Sequence, residues 1–157
     1  MQPLLLAAVL AITLTGCAAP ASAPAPAPRA QMQFLDLPGF EDELGSSLAA
    51  PLPRVEVSFY DRVTPSKMPD RLQKWMAAVE AQGGKVKVTP PPSSVTARSP
   101  LMLVSAISSL WSAHKMVREQ QAEARLKAAG RYDAELTLRQ DDRGDVVLDK
   151  IVFTLKP

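Results

Sequence analysis

The chain has 157 residues, 46% of them hydrophobic and 22% charged, and its formal net charge is +2. This length favours one folded domain with its own core over several domains. The sequence contains a single cysteine. A disulfide within this chain and a CxxC metal or redox motif are therefore excluded.

The charges are unevenly distributed. Residues 29–53 contain one basic and four acidic side chains, whereas residues 54–131 contain thirteen basic and six acidic ones. The aromatic residues do not alternate with the basic ones, as they do in a stacking platform for single-stranded nucleic acid. Composition therefore disfavours nucleic acid as a partner and favours anionic lipid head groups or an acidic protein.

The N-terminal segment contains an apolar run at residues 4–14. Its last residue, Leu14, is followed by Thr15, Gly16 and Cys17. The run is shorter than the ~20 apolar residues that a membrane-spanning helix needs. An apolar segment of secretory length, two small residues and a lone cysteine together resemble the lipobox of bacterial lipoproteins. The alternative interpretation is an ordinary apolar helix with a chance cysteine.

The resemblance implies that residues 1–16 are a signal peptide and that Cys17 becomes the lipidated N-terminus, carrying a diacylglyceryl thioether and an N-acyl chain. Several acyl chains together hold a protein firmly on a membrane. The cysteine is followed by Ala18 rather than by aspartate, which by resemblance to lipoprotein sorting in Gram-negative bacteria favours the outer membrane. We therefore expect a lipid-anchored protein on the cell outer membrane, facing the periplasm.

Residues 17–53 are expected to connect this anchor to the domain. Residues 18–29 are mostly alanine and proline, a composition that favours an extended spacer of about 40 Å at ~3.1 Å per residue. The acidic segment 34–44 follows. Its large apolar side chains include Phe34, Leu37, Phe40 and Leu44.

Two interpretations of segment 34–44 are open, because its aromatic side chains need cover. The segment could fold back onto the domain's own basic surface, for which the sequence offers Lys115, Arg118, Arg125 and Lys127. Alternatively, it is a linear docking motif that becomes ordered on a partner protein.

The folded domain is expected to span residues 54–157. Residues 55–60 alternate between apolar and polar side chains, which predicts a strand. Residues 69–82 have apolar side chains at helical spacing and are followed by two glycines, which predicts a helix. A second short strand is predicted at residues 85–89, and a β-α-β succession in one sheet implies parallel strands.

The remaining half of the domain predicts a helix of roughly 30 residues, from Ser99 as N-cap to Gly130 as the C-terminal stop. Residues 132–139 and 146–155 predict two strands joined by a turn at 141–144. In the last strand the residues expected to face the core are Val147, Ile151, Phe153 and Leu155. Asp149 would fall on the same side, so we predict a β-bulge there that shifts the register.

The predicted element order is β-α-β-α-β-β. It favours an α+β two-layer sandwich, in which a four-stranded mixed sheet is covered by two helices, the second of them long.

The sequence contains few candidates for chemistry. The only histidine, His114, lies on the apolar side of the predicted long helix, so a structural role is favoured. Aspartates 141, 142 and 145 lack the twelve-residue spacing and terminal glutamate of a calcium loop. No catalytic residue, metal site or cofactor is predicted. A crevice beyond the carboxyl ends of the first two parallel strands would be the natural ligand site, lined by Tyr60, Asp61, Arg62 and Thr89.

These observations leave two classes of function. The leading one is a non-enzymatic membrane-anchored lipoprotein whose periplasmic domain binds another envelope protein, as a scaffold or assembly accessory. The alternative is a domain that binds a small ligand or lipid in the crevice, and less favourably a hydrolase. A pocket with converging polar groups would indicate the alternative, and an exposed apolar surface the leading class.

Overall fold

A computed structural model describes residues 25–92 and 124–157 of the protein. Several predicted features lie outside these residues. They are the lipobox with Cys17 and most of the predicted long helix, including His114, Lys115 and Arg118. The elements are β1 (Gln31–Phe34), α1 (Pro38–Ala49), β2 (Arg54–Phe59), a 3₁₀ helix at Pro65–Lys67, α2 (Asp70–Ala81), β3 (Val86–Thr89), a second 3₁₀ helix at Ala124–Arg131, β4 (Tyr132–Gln140) and β5 (Val146–Leu155).

The described strands form one mixed sheet in the order β1-β2-β5-β4-β3. β1 is parallel to β2 and β3 is parallel to β4, while β5 is antiparallel to both of its neighbours. The α+β class with a mixed sheet is therefore confirmed. The predicted count of four strands is wrong because residues 31–34, assigned to the connecting segment, add a fifth strand.

The register of the sheet explains where the core lies. One row of paired residues crosses all five strands, and every member of it is less than a tenth exposed: Met32, Val57, Ile151, Leu136 and Val88. Leu44 and Leu48 of α1 and Leu72 and Trp75 of α2 belong to the same hydrophobic cluster. Both helices thus bury an apolar side against this face of the sheet.

The segment before residue 54 is part of this core. In β1, Met32 and Phe34 are buried and the two glutamines are exposed, which is the alternation of an edge strand with one covered face. In α1, Phe40, Leu44 and Leu48 recur every four residues and are buried, which is the spacing of one helix face. The expected start of the domain at residue 54 is thereby corrected to about residue 31.

Helix α2 lies within its predicted range of 69–82. Its C-terminus is closed by two backbone hydrogen bonds, from Gly83 N–H to the Glu80 carbonyl and from Gly84 N–H to the Val79 carbonyl, at 3.0 and 2.9 Å. This is the Schellman pattern, and Gly83 has the positive φ of 79° that the pattern requires. A Cβ on Gly84 would lie 2.6 Å from Cγ1 of Val79. The absence of a side chain at Gly84 therefore allows its backbone to pack closely against Val79.

The C-terminal hairpin contains the bulge predicted at Asp149. Thr137 pairs with Lys150 and Leu138 pairs with Leu148, so Asp149 has no opposite residue. The bulge reverses the alternation, and Leu148 joins the core cluster together with Ile151 and Phe153. The assignment of Val147 to the core face is therefore corrected, since it lies before the bulge and on the other side of the strand.

The end of the predicted long helix also differs. Residues 124–131 form a 3₁₀ helix that runs through Gly130, whereas Gly130 was expected to end the helix with a positive φ. In the described chain only Gly83 and Gly144 have positive φ values. A Cβ on Gly130 would lie 2.6 Å from Oε1 of Gln82. The absence of a side chain at Gly130 therefore allows this 3₁₀ helix to lie close to the end of α2.

Candidate functional site

The described residues expose three large apolar side chains: Leu35 is 47% exposed, Leu37 59% and Tyr60 81%. The sheet register brings Leu35 and Tyr60 together, and Leu37 lies near Leu35 because its backbone N–H donates to the Leu35 carbonyl at 2.7 Å. Phe34 and Phe59 are partners at the ends of β1 and β2, so Leu35 and Tyr60 follow them on neighbouring strands about 4.8 Å apart. The carboxyl ends of β1 and β2 thus form an exposed apolar corner, defined by Leu35, Leu37 and Tyr60.

The outer edge of β1 adjoins this corner. Glu56 N–H donates to the Ala30 carbonyl at 2.8 Å, which places the backbone groups of residues 30, 32 and 34 toward β2 in a parallel ladder. The backbone of Gln31 and Gln33 therefore points away from the sheet. Among the described strands, none pairs with this edge, and both glutamine side chains are exposed.

Ion pairs fix the acidic segment next to this edge. The guanidinium of Arg71 on α2 reaches Asp36 Oδ1 at 3.0 Å and Glu41 Oε2 at 2.7 Å. Arg29 binds Glu43 Oε1 at 2.9 Å. Arg71 and Arg29 thus contact these three acids, while Lys115 and Arg118, which were expected to face the segment, lie outside the described residues.

The four apolar residues proposed as a docking motif are divided by the fold. Phe34, Phe40 and Leu44 are at most 5% exposed, and the two phenylalanine rings pack edge to face with centroids 4.8 Å apart. Only Leu37 is at the surface. Of the two interpretations of segment 34–44, the structure shows folding onto the chain's own domain, because this burial removes three large apolar side chains from water.

The four residues expected to line a crevice are not brought together. β2 and β3 run in the same direction, but β5 and β4 lie between them, which separates the two strands by roughly 14 Å. Tyr60, Asp61 and Arg62 follow β2, while Thr89 ends β3 at the far side of the hairpin. Thr89 Oγ1 donates a 2.5 Å hydrogen bond to Glu135. This bond is the main cause that lowers the pKa of Glu135.

Arg62 joins the loop after β2 to the β4–β5 turn. Its guanidinium lies 2.6 Å from Asp141 Oδ2 and also binds Asp145. Asp141 Oδ1 accepts the backbone N–H groups of Arg143 and Asp145, at 3.0 and 2.9 Å. Desolvation raises the pKa of Asp141, but these two N–H donors and Arg62 outweigh it, and the net effect lowers that pKa.

This turn is therefore organised by its own chain. In residues 25–92 and 124–157, no group of three or more histidine, cysteine, aspartate or glutamate side chains is arranged to hold a metal ion. The same part of the chain contains no helix long and apolar enough to cross a membrane.

The sequence reasoning did not identify the β1 edge. The signal was present: Gln31, Met32, Gln33 and Phe34 alternate with period two, as a strand with one covered face does. Pro38 then occupies the first turn of a helix, a position that proline favours. The net acidity of the segment favours an exposed tether instead, and for this reason no strand was predicted there.

A comparison with protein-family models matches no family, and searches of curated proteins and of solved structures find no match. The function proposed below therefore depends on the residues and geometry of this chain alone.

Proposed function

We propose that the protein is a lipid-anchored component of the bacterial envelope whose α+β domain faces the periplasm and binds a partner protein without catalysing a reaction. The observation that carries this proposal is the sequence Leu14, Thr15, Gly16 and Cys17 after an apolar run, with no other cysteine in the chain. The outer membrane is the proposed location, because Ala18 follows the cysteine.

The position of the first strand supports a tethered domain. Residues 25–30 are exposed and precede β1, and their alternating alanine and proline favour an extended backbone. With β1 starting at Gln31, thirteen residues lie between the cysteine and the sheet. At ~3.1 Å per residue, they allow the domain to lie about 40 Å from the membrane.

Binding is favoured over catalysis by the distribution of polar and apolar groups. The polar residues of the proposed crevice are separated by the β4–β5 hairpin, and Arg62 is bound by two carboxylates of the turn. The apolar corner at Leu35, Leu37 and Tyr60 is exposed beside a sheet edge. An exposed apolar surface rimmed by polar residues is typical of a protein-binding site.

Metabolic labelling with palmitate tests the anchor. Cys17→Ser removes the thiol to which the lipid would be attached, so we expect loss of the label and either release of the domain from membranes or an unprocessed precursor. Density separation of the membranes then gives the location of the natural protein. We expect the outer-membrane fraction.

A matched control moves the thiol by five residues. The double variant Cys17→Ser with Ser22→Cys retains one cysteine outside the motif, and it should remain unlabelled. Undiminished labelling of Cys17→Ser would contradict the proposal, and labelling of the double variant would show that the motif does not direct acylation.

A further inference from the structure

The two ends of the described sheet differ in the side chains that they carry. β1, β2, β3 and β4 run in one direction, and β5 runs in the opposite one. The spacer enters β1 at Gln31, so we name the end at which these four strands begin and β5 finishes the tether end. The apolar corner lies at the opposite, distal end, where β1 and β2 finish.

Basic side chains gather at the tether end. Lys85 and Arg131 directly precede β3 and β4, and Lys156 directly follows β5. Lys156 N–H donates to the Arg131 carbonyl at 2.9 Å. Lys127 precedes Arg131 by four residues on the 3₁₀ helix that leads into β4. Because five strands about 4.8 Å apart span roughly 19 Å, the strand ends that carry these charges lie within that distance of the spacer.

The four basic side chains of the tether end keep their charge. Within residues 25–92 and 124–157, none of them forms an ion pair. Lys85 and Lys127 are exposed, and the Arg131 guanidinium donates to two uncharged carbonyls of α1. Two more basic residues at this end are each paired with a glutamate: Arg29 and Arg54. Two further acids lie there: Glu80 and Asp133. The tether end therefore has an excess of positive charge.

The distal end has the opposite charge. Two arginines there each contact two carboxylates: Arg62 with Asp141 and Asp145, and Arg71 with Asp36 and Glu41. In the described part of the chain, the exposed charged residues of this end that form no ion pair are three acids and two bases: Asp61, Asp70, Asp142, Lys67 and Arg143. The domain is therefore basic where the spacer enters and acidic around the apolar corner.

Position and charge together favour contact between the tether end and a membrane surface. The anchor proposed at Cys17 holds the domain within the ~40 Å reach of its spacer, and such confinement raises the effective concentration of the surface. Anionic head groups attract lysine and arginine side chains, with a strength that falls off within a Debye length of about 8 Å. The tether end fits such a surface, whereas the distal end is repelled by it.

We infer that the tether end docks on the anionic phospholipid head groups of the membrane that holds the anchor, and that docking turns the apolar corner away from this membrane. The inference rests on the proposed function, because the anchor supplies the membrane, and it adds a lipid-binding surface to the domain. Palmitate labelling reports acylation alone. The experiment below uses protein whose acylation is confirmed by mass, so the two tests can fail separately.

Energy transfer in reconstituted vesicles tests the inference. In the acylated full chain Cys17 is a thioether, so a cysteine introduced by Thr154→Cys or Ser66→Cys is the only thiol available for a donor dye. Both positions are exposed, at the tether end and the distal end respectively. The acceptor dye is carried by lipid head groups, in phosphatidylcholine vesicles with or without phosphatidylglycerol. We expect phosphatidylglycerol to increase the transfer from residue 154, and residue 66 to show the lower transfer in both vesicles.

Substitution of exposed lysines tests the role of charge. Lys85→Gln and Lys127→Gln each remove one charge of the tether end, so we expect the ratio of docked to undocked protein to fall about fivefold for each lysine removed. Lys67→Gln is the matched control, since it removes an exposed lysine of the distal end and should leave this ratio within about twofold. High salt should reduce the transfer from residue 154 to its value without phosphatidylglycerol, and this measurement needs no variant of the lysines.

Four results would overturn the inference. The first is equal transfer from residue 154 in the two kinds of vesicle, and the second is higher transfer from residue 66 than from residue 154 in the anionic vesicles. The third is a loss of docking in Lys67→Gln as large as that in Lys85→Gln and Lys127→Gln. The last is transfer that does not respond to salt.

Discussion

At the residue scale, the contacts of Asp141 show how one carboxylate organises the end of the hairpin. One of its oxygens accepts two backbone N–H groups of the turn, and the other binds the Arg62 guanidinium. The turn is thereby tied to the loop that follows β2. The sequence suggested a turn here, but Arg62 lies far from it along the chain, and nothing in the local pattern predicts that pairing.

The pH dependence of stability follows from the lowered pKa of Asp141. A carboxyl whose pKa is lower in the folded than in the unfolded state stabilises the fold above its ordinary pKa of 3.8, and this contribution is lost as the pH falls through the folded-state value. Asp141→Asn should therefore unfold at lower urea concentration than the natural chain at pH 7. We expect the difference to shrink as the pH is lowered below about 4.

Urea denaturation at a series of pH values measures this difference. Asp142→Asn removes a neighbouring acidic charge that makes none of these contacts and serves as the control. A difference between Asp141→Asn and the natural chain that stays constant down to the lowest pH would show that the charge of Asp141 does not act through these contacts.

The side chain of Arg131 caps the C-terminal end of α1. Its guanidinium donates to the carbonyls of Leu48 and Ala49 at 2.6 and 2.9 Å. These are among the last carbonyls of the helix, which have no partner within it. Long-range side-chain caps of this kind depend on tertiary structure, so sequence patterns do not predict them.

At the element scale, α2, the hairpin strands and the Asp149 bulge could be predicted from local patterns. Each has a clear period or a terminating glycine, and the conflict at Asp149 has a simple geometric resolution. Residues 31–49 were assigned to the connecting segment instead, because their acidity and the flanking proline-rich segment favour a tether. The structure shows that Phe40, Leu44 and Leu48, four residues apart, lie on one buried face of a helix.

Two substitutions in the same segment test the packing of α1. Phe40 is 4% exposed and Leu37 is 59% exposed. Phe40→Ala should lower the free energy of unfolding by about 3 to 5 kcal/mol, because it leaves a cavity between α1 and β1. Leu37→Ala should change it by no more than about 0.5 kcal/mol.

Chemical denaturation followed by circular dichroism distinguishes the two variants. Equal unfolding free energies for Phe40→Ala and Leu37→Ala would mean that α1 does not pack on β1 as described. A large loss at Leu37 alone would place the buried side of the segment on the opposite face.

At the scale of the whole molecule, the sheet order explains why the expected crevice does not form. Neighbouring parallel strands were expected from the β-α-β succession of β2, α2 and β3. The β4–β5 hairpin instead pairs between them through a ladder of nine residue pairs. The relative direction of two strands follows from the connection between them. Whether the two strands are neighbours also depends on whether later strands, here β4 and β5, insert between them.

The same order places β1 at the edge of the sheet beside β2, where Met32 pairs with Val57. Helix α1 follows β1 and packs on the core. Residues 31–49 contribute Met32, Phe34, Phe40, Leu44 and Leu48 to the hydrophobic cluster. A chain without them would expose the apolar surface that they bury. We therefore expect this segment to be required for folding.

Truncation measures this requirement most directly. A chain of residues 29–157 keeps β1, α1 and the Arg29 ion pair, whereas a chain of residues 54–157 lacks all three. In urea unfolding followed by circular dichroism, the chain of residues 29–157 should have the midpoint and cooperativity of the full chain. The chain of residues 54–157 should have a strongly lowered midpoint or no cooperative transition. The same midpoint and slope for both truncated chains would contradict the account.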